Sequence, residues 1–404
     1  MVTSPNEAVL DEFLTRAVAE VVVRESLARA LRTGERRLRI KQGFDPTRPN
    51  LHLGHVVGLR KLKQLAEWGH EIILIIGDYT TQIGDPTDKD ETRPMMSHEQ
   101  VLANAETYLQ QFHRIVPREN TRVVYQTEWF GKFSLKDTIV LASRFTVQQM
   151  LAREEYRKRL ASQTPIPLKD MLYPLLQAYD SLAIDADVEV GGTDQKFNCL
   201  VGRDLQEQLG KRPQDVFMVQ LLEGTDGEKM SKSKPATGIW LTDTPDEMFG
   251  KVMSIADPLM AHYFEWGTNL PLDVVRATLS AVETRALHPR EAKERLARAI
   301  VAELHTPAAA DEAAAEFSRR FKDKAAPSEI PQVGLERGAR GKVSVVELLR
   351  EAGFAKSNGE ARRYLEQGGV KLDGTVAVVG TELPTSGTVL VQVGPRRFAR
   401  VTWR

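Results

Sequence analysis

The sequence is poor in cysteine, with one residue of this type, Cys199, among 404. A single thiol excludes an internal disulfide and is too few for a zinc site made of thiolates. Two interpretations of Cys199 remain open, a small buried hydrophobic residue and a reactive thiol. Hydrophobic residues make up 42% of the chain, so a sizeable core can form without covalent links.

Long hydrophobic runs are also missing. No stretch approaches the roughly 20 apolar residues that cross a bilayer. The start, MVTSPNEAVLDEF, has no basic segment followed by an apolar one. We therefore expect a cytoplasmic protein without a membrane partner. The length of 404 residues predicts two or three domains.

The sequence has no net charge and lacks two common nucleotide-binding motifs. Because the formal net charge is zero, any RNA binding must be local. Neither G-x-x-x-x-G-K-[ST] nor G-x-G-x-x-G occurs, which excludes a P-loop and a dinucleotide-binding fingerprint.

What is present in the first half is an alternation of strand and helix patterns. Residues 37–44 predict a strand that ends at the turn residues of GFDPTRPN. A helix is predicted from an N-cap at Asn50 to Gly69. The run EIILII predicts a strand buried on both faces, and TRVVYQ, ADVEVGG and DVFMVQLL continue the alternation. We therefore expect residues 1–240 to form a doubly wound, Rossmann-like α/β domain with a parallel sheet.

The second half predicts three further regions. Residues 241–324 contain Ala- and Arg-rich helical stretches such as EAKERLARAIVAELH, which indicate a helical domain. Residues 325–342 are rich in Pro, Gly and charge, which is typical of a linker. Residues 343–404 combine two short helical patterns with short strands, which predicts a small α+β domain, and carry more Lys and Arg than Asp and Glu.

The motif H-x-G-H lies in the first turn of the predicted helix. Residues three apart share a helical face, so the His52 and His55 imidazoles should point the same way. The helix N-terminus offers unpaired N–H groups, and Gly54 has no side chain to keep a nucleotide away. The motif suits a triphosphate, although two nearby histidines are more often packing or solvated residues.

A second motif, KMSKS, lies in a polar loop about 175 residues later. A charge run of this kind is usually a solvated loop, but five specified residues in this order are improbable by chance. Together the two motifs resemble the signatures of class I aminoacyl-tRNA synthetases. That resemblance implies that the histidines, Lys229 and Lys232 hold ATP and stabilise the charge of the leaving pyrophosphate.

The implied chemistry does not need a protein nucleophile. An amino-acid carboxylate attacks the α-phosphate of ATP in line, so positioning and electrostatic stabilisation carry the catalysis. ATP is then a substrate accompanied by Mg²⁺. The sequence predicts no dedicated metal site and no tightly bound cofactor.

Four segments identify the amino acid by resemblance. GFDPTRPNLHLGH, IGDPTDKDETR, YPLLQAYDSL and VGGTDQKFN resemble tyrosyl-tRNA synthetases in order and spacing. For tyrosine, the resemblance implies that the ammonium is bound by Asp85, Tyr173 and Gln177, the phenol by Asp180, and the carboxylate near Gln195. For ATP, it implies a pocket formed by Gly43, Asp45, Gly54, Gly192, Asp194, Met230, Ser231 and Ser233. It also implies a flexible loop whose Lys89 and Arg93 reach the pyrophosphate.

Tyr173, Gln177 and Asp180 are spaced four and three apart, so they share one face of a helix. This polar face within an apolar stretch is either solvated or part of a pocket. If it is buried, Asp180 needs a donor, and a site built to bond a hydroxyl rejects a ligand without one. Tyrosine against phenylalanine is the familiar example of that discrimination.

One position departs from the commoner bacterial pattern, in which a tyrosine stands two residues before the Gly of GFDP. Lys41 occupies that place here. We therefore interpret the chain as similar to the second bacterial subtype. Lys41 is counted with the tyrosine pocket, either turned away from it or contributing a donor.

Residues 357–374, SNGEARRYLEQGGVKLDG, resemble the S4 RNA-binding domain. Helix arginines can also be merely solvated, but the resemblance implies a set of RNA contacts formed by Arg362, Arg363, Lys371, Arg396 and Arg397. Joined to a class I catalytic half, this tail implies a tRNA(Tyr) partner, and the resemblance further implies a homodimer.

Three competing interpretations remain at this point. A tryptophan enzyme is disfavoured by Asp180 and by the S4-like tail. A non-catalytic RNA-binding paralogue should have lost the chemical residues, which are present. A simple nucleotide-binding protein would leave the tail unexplained.

Overall fold

The structure is a computed structural model that describes residues 2–85, 96–231, 234–321, 330–336, 341–394 and 397–403. The chain divides into two compact units, Met1–Asp311 and Glu312–Arg404. No helix within the described ranges is long and apolar enough to span a bilayer.

The first unit contains a six-stranded sheet. Its strands are β1 Val18–Val22, β2 Arg39–Phe44, β3 Glu71–Ile76, β4 Thr121–Tyr125, β5 Val188–Gly192 and β6 Asp215–Val219. The order is β1-β6-β5-β2-β3-β4, in which β2 to β6 pair in parallel and β1 is antiparallel to β6. From β2 the chain adds β3 and β4 on one side of the sheet and then β5 and β6 on the other side. The direction in which strands are added therefore reverses between β2 and β5. Doubly wound sheets bind ligands at such a switch point.

Helices cover this sheet and supply the elements around the switch point. They are α1 Glu7–Thr15, α2 Arg24–Thr33, α3 Leu53–Glu67, α4 Thr80–Ile83, α5 His98–Phe112, α6 Thr127–Phe130, α7 Leu135–Ala142, α8 Val147–Leu151, α9 Glu154–Ala161, α10 Leu168–Ala183 and α11 Lys196–Gln208. The predicted doubly wound α/β architecture is confirmed.

The aliphatic strand β3 lies at the centre of the core. Its residues Ile72 to Ile76 are at most 1% exposed, because neighbouring strands pair with both edges and helices pack on both faces. The sequence prediction of a strand buried on both faces is confirmed. Strand β1, a short edge strand with the sequence VAEVV, was not among the strands that the sequence predicted.

Helix α3 begins later than the sequence predicted. Its N-cap is His52 rather than Asn50, because the His52 backbone is extended and forms a β-bridge with Trp240. The backbone N–H of Leu53 donates to the Ile239 carbonyl at 2.8 Å. The turn after the helix does end at Gly69, whose φ of +88° favours glycine.

Helix α10 contains a proline without losing its buried carbonyl partner. Pro174 has no N–H to donate to the carbonyl of Asp170 four residues earlier. The Tyr156 hydroxyl donates to that carbonyl at 2.6 Å instead. The helix therefore continues with its polar face directed at the switch point.

The described residues between 241 and 321 form helices and no strand, as the sequence predicted. The helices are α12 Pro245–Met253, α13 Met260–Trp266, α14 Leu272–Glu283, α15 Pro289–Leu304 and α16 Pro307–Phe321. Down to Asp311 they belong to the same compact unit as the sheet, and Arg60 of α3 forms an ion pair with Glu303 at 2.8 Å. The unit boundary lies within α16 rather than at residue 324.

The second unit is a small α+β fold. Its strands are β7 Gln332–Leu335, β8 Lys342–Ser344, β9 Val370–Leu372, β10 Thr375–Val376, β11 Glu382–Pro384, β12 Thr388–Val393 and β13 Arg397–Trp403, and its helices are α17 Val345–Glu351 and α18 Asn358–Glu366. Five strands form a sheet in the order β10-β9-β12-β13-β7, and β11 pairs with β8.

The linker predicted for residues 325–342 is partly wrong. Strand β7 lies inside it and pairs in parallel with β13. The reason is the alternation of Val333 and Leu335 with polar or small residues, which lets both side chains pack against the core of the second unit.

Candidate active site

A cavity of about 300 Å³ opens at the switch point, between the carboxyl ends of β2 and β5, the start of α3 and the polar face of α10. Most of the predicted site residues line it: Gly43, Asp45, His52, Gly54, His55, Asp85, Tyr173, Gln177, Asp180, Gly192, Asp194, Gln195, Lys229, Met230 and Ser231. Lys41 does not line it. Lys89, Arg93, Lys232 and Ser233, as well as Arg396, lie outside the described residues.

The two histidines adjoin each other where α3 begins. Their ring centroids are 3.8 Å apart. The His52 backbone N–H donates to Nδ1 of His55 at 3.1 Å, which leaves Nε2 as the proton-bearing nitrogen of a neutral His55. Both imidazoles lie at a helix N-terminus, where anions are stabilised.

Two glycines in the cavity wall leave no room for a side chain. A Cβ at Gly54 would lie 3.0 Å from Nδ1 of His52. A Cβ at Gly192 would lie 2.5 Å from an Asp194 carboxylate oxygen and 2.7 Å from Leu221. Both positions therefore require glycine for close packing, whereas a Cβ at Gly43 would meet open space.

Lys229 lines the cavity and forms an ion pair with Asp194. Its ammonium lies 2.8 Å from the Asp194 carboxylate. The backbone around it is fixed by a β-bridge between Lys229 and Glu223, and Met230 is 3% exposed. The start of the KMSKS motif is thus anchored at the cavity, and Ser231 lines it.

Asp45 and Tyr173 form a hydrogen-bonded group. The Tyr173 hydroxyl donates to Asp45 at 2.8 Å, and the Thr80 hydroxyl donates to the other carboxylate oxygen at 2.6 Å. Burial raises the pKa of Tyr173 well above its ordinary value, so this phenol keeps its proton. Its oxygen remains an acceptor for a ligand.

Asp85 belongs to a second network. The Gln195 amide donates to it at 2.7 Å, and the buried guanidinium of Arg153 lies 3.3 Å away. The Asn198 amide donates to the Gln195 oxygen at 2.9 Å, which fixes the orientation of the Gln195 side chain. The motifs did not indicate Arg153, which precedes α9.

Asp180 is 3% exposed and has two protein donors. The Gln126 amide donates to one oxygen at 2.8 Å and the Trp129 indole to the other at 3.1 Å. Burial raises the pKa of Asp180 to about 7, although Lys41 and Gln126 both lower it. The ionised form of Asp180 can accept a hydrogen bond from a ligand hydroxyl.

The interpretation of this helix face as solvated is wrong, because Tyr173 and Asp180 are both buried in the cavity wall. Cys199 is also buried, at 1% exposure, and packs with Val216 and Met218. Burial raises the pKa of its thiol well above the ordinary value, which favours the small hydrophobic residue over the reactive thiol.

Sequence motifs missed several residues of the site. Gln126 follows the carboxyl end of β4, Gly77 follows β3, and Glu189 lies on β5. Position alone could have indicated the first two, because the carboxyl ends of parallel strands meet at the same edge of a sheet.

The described residues contain no group of three or more His, Cys, Asp and Glu side chains that could hold a metal ion. In the second unit, Arg362 and Arg363 on α18 and Lys371 on β9 are exposed. Arg397 is exposed as well, and its guanidinium lies over the Phe354 ring at 5.1 Å and donates to the Gly353 carbonyl at 3.3 Å.

Known proteins resemble the chain along nearly its whole length. Residues 33–322 match the family of tRNA synthetases class I (W and Y). A tyrosine–tRNA ligase of Dehalococcoides mccartyi is 47% identical over 97% of this chain and 98% of its own length. A tyrosine–tRNA ligase of Geobacter sulfurreducens is 46% identical over 96% and 98%. In fold, a truncated mitochondrial tyrosyl-tRNA synthetase of Aspergillus nidulans superimposes with a TM-score of 0.64 at 21% identity, covering 77% of this chain and 94% of that one.

The switch-point cavity, the paired histidines and the extent of these matches assign the chain to the class I tRNA synthetases. Within that class, it belongs to the tyrosine–tRNA ligases, because near-complete relatives at 46% and 47% identity carry that name.

Proposed function

We propose that the chain activates L-tyrosine with ATP to form tyrosyl-adenylate and pyrophosphate, and then transfers tyrosine to the 3′ end of tRNA(Tyr). The observation that carries this proposal is the position of Asp180, a buried carboxylate held by two donors in the wall of a cavity that also contains His52, His55 and Lys229. One cavity thus combines an acceptor for a phenol with cationic and N–H groups for phosphates.

The tyrosine ammonium is assigned to three acceptors. The Tyr173 oxygen can accept because its own proton goes to Asp45. The side-chain carbonyl of Gln177 and the Asp85 carboxylate are the other two acceptors. Three acceptors match the three hydrogens of an ammonium group. The Gln195 amide nitrogen carries two hydrogens, of which one bonds Asp85 and the second is assigned to the substrate carboxylate.

In the first step, a tyrosine carboxylate oxygen forms a bond to the α-phosphorus of ATP. The bond from that phosphorus to the bridging oxygen breaks, and pyrophosphate leaves with the electron pair. In this proposal Lys229 and the imidazoles stabilise the developing negative charge, and Gly54 and Gly192 allow the nucleotide to approach the backbone. Lys89, Arg93, Lys232 and Ser233 extend this proposal to segments outside the described residues. Mg²⁺ arrives with ATP and neutralises its phosphates.

We further propose that the second unit contacts tRNA through the exposed Arg362, Arg363 and Lys371. We assign Arg397 a smaller part in this contact, because its guanidinium already contacts the Gly353 carbonyl and the Phe354 ring. We also propose that the protein works in the cytoplasm.

The homodimer is also part of the proposal. Six large hydrophobic side chains between residues 135 and 168 are more than 45% exposed: Leu135, Ile139, Val140, Val147, Leu160 and Leu168. Such exposure in one region is typical of an interface that is covered in solution. Light scattering of the purified protein should give twice the monomer mass of 45.3 kDa. A monomer at micromolar concentration would contradict the dimer.

The activity is tested by ATP–pyrophosphate exchange with tyrosine, tryptophan and phenylalanine supplied separately. Exchange that depends on tyrosine alone is expected. Exchange with tryptophan instead would show that the chain activates tryptophan and would contradict the proposed specificity. No exchange with any amino acid would contradict enzymatic activation.

A further inference from the structure

A buried ion pair lies directly behind the tyrosine-facing side of α10. Lys41 on β2 is opposite Glu189 on β5 in the parallel register, at the switch point of the sheet. The Lys41 ammonium lies 2.9 Å from the Glu189 carboxylate, and their side chains are 0% and 3% exposed. Two opposite charges are thus held in the core beside the cavity.

The Lys41 ammonium has no hydrogen to offer a ligand. Its three N–H groups meet three acceptors, namely Glu189, the Ser181 hydroxyl at 2.7 Å and the Gln177 backbone carbonyl at 2.8 Å. Lys41 does not line the cavity, whereas Glu189 and Gln177 do. Of the two alternatives for Lys41, the structure therefore favours a side chain turned away from tyrosine.

Glu189 uses its oxygens to orient neighbouring side chains. The Gln177 amide nitrogen donates to Glu189 at 3.1 Å, and the Ser181 hydroxyl donates to it at 3.3 Å. The Gln214 amide donates to the same carboxylate. An ionised carboxylate only accepts, so the nitrogen end of the Gln177 carboxamide has to face it. The oxygen end is then directed the other way.

We propose that Lys41 and Glu189 form a positioning pair that holds the Gln177 carboxamide with its oxygen toward the substrate ammonium. Glu189 sets the orientation of the amide, and Lys41 supplies the opposite charge that pairs with the Glu189 carboxylate in the core. The pair acts on the amine end of tyrosine, and Lys41 does so from the position at which the commoner bacterial pattern has a tyrosine. This inference rests on the proposed activation of tyrosine.

Two double variants separate this role from simple packing. Lys41→Met with Glu189→Met replaces the pair by apolar side chains of similar length, which buried ion pairs often tolerate. Lys41→Met with Glu189→Gln differs only in keeping an oxygen that can accept from Gln177. Single neutralisations are avoided because they leave an uncompensated buried charge.

The readout is the inhibition of tyrosine-dependent exchange by tyramine and by 4-ethylphenol, which lacks the amine. The ratio of the two inhibition constants measures recognition of the ammonium alone. The Met/Met variant should lose at least tenfold of the wild-type preference for tyramine, with KM for ATP changed less than twofold. The Met/Gln variant should retain most of the preference.

If both inhibitors bind the Met/Met variant more weakly by the same factor, the pair acts only through packing and the proposal is overturned. Wild-type inhibition by both compounds would overturn it as well. Thermal unfolding monitored by circular dichroism checks that both variants fold. If the Met/Met variant does not fold, Glu189→Asp keeps the charges but withdraws the carboxylate by one methylene. It must then lower the tyramine preference, and a wild-type ratio would refute the role. Wild-type exchange with tyrosine is measured first, so failure of the activity itself is distinguished from failure of the pair.

Discussion

Asp180 combines burial, two protein donors and a position in the cavity wall. The same donors that keep it satisfied in the core leave lone pairs on each oxygen for a ligand hydroxyl. Trp129 and Gln126 therefore act as supports that fix the direction of this carboxylate. In the proposed function, specificity for a phenol comes from this one acceptor, whose two donors hold it in place.

Replacing Asp180 with asparagine should weaken the use of tyrosine. The amide nitrogen of Asp180→Asn would face one of the two existing donors, and the charged acceptor for the phenol is lost. Hydrogen bonds to charged groups contribute about 1.5–3 kcal/mol. We therefore expect kcat/KM for tyrosine in pyrophosphate exchange to fall about 10- to 100-fold, with KM for ATP little changed.

The matched control is Asp170→Asn. Asp170 lies on the same helix and is also buried, but it is paired with Arg159 at 2.9 Å and does not line the cavity. This variant can lower stability but should keep the tyrosine KM of the wild type. An equal loss in both variants would mean that Asp180 acts only through the stability of α10.

The raised pKa of Asp180 also predicts a pH-dependent stability. Burial raises this pKa from 3.8 to about 7, so the folded protein binds a proton more tightly than the unfolded chain does. The contribution of protonated Asp180 to the free energy of unfolding is fully present below about pH 4 and is lost as the pH rises to about 7. Asp180→Asn, which resembles the protonated form, should therefore gain stability relative to the wild type over that window.

The measurement is denaturant unfolding of both proteins at pH 5, 6, 7 and 8. The difference in unfolding free energy should shift in favour of the variant up to about pH 7 and then level off. A difference that does not change with pH would show that Asp180 is ionised throughout, as an ordinary carboxylate is.

At the scale of elements, the start of α3 shows why the H-x-G-H motif needs its glycine. A Cβ at Gly54 would press against the His52 ring at 3.0 Å and 3.1 Å. Contacts this short require the ring to move, and His52 is held between His55 and Trp240. The helix N-terminus and the imidazoles are thus held in one fixed arrangement, which we propose binds the phosphates of ATP.

Gly54→Ala should lower kcat for exchange at least tenfold while leaving KM for tyrosine nearly unchanged, because we propose that the displaced ring contacts ATP rather than the amino acid. Gly250→Ala is the control, since a Cβ there meets open space within α12 and can add about 1 kcal/mol of helix stability. Wild-type kcat in Gly54→Ala would show that the ring position is not critical.

Local pattern determined which elements could be predicted. The aliphatic run of β3 and the motifs at His52 and Lys229 are readable because the relevant residues are adjacent in sequence. Strand β1 was missed because it is only five residues long and lies between two helical segments. Gln126, Arg153 and Glu189 could not be assigned, because only tertiary packing brings these separate segments to the cavity.

At the scale of the whole molecule, the chain consists of two compact units with different contents. The first unit carries the cavity, and the second has its own hydrophobic core and exposed basic residues on α18 and β9. The sequence predicted the family correctly because its signature motifs lie in the first unit and its S4-like pattern in the second. Activation and RNA binding should therefore be separable by mutation.

The double variant Arg362→Ala with Arg363→Ala should retain wild-type pyrophosphate exchange and lose charging efficiency. Removing two phosphate contacts should raise KM for tRNA about tenfold and make it less dependent on salt. Arg276→Ala, which removes an exposed arginine of α14 in the first unit, is the control and should change neither. Wild-type KM for tRNA in the double variant would exclude α18 as a contact.

Charging of tRNA tests whether the chain acts as a tyrosine–tRNA ligase. Purified full-length protein is supplied with ATP, Mg²⁺ and either labelled tyrosine with tRNA(Tyr) or labelled tryptophan with tRNA(Trp). We expect acid-precipitable product with tyrosine and tRNA(Tyr) alone. Charging of tRNA(Trp) with tryptophan, or no charging of either tRNA, would contradict this expectation.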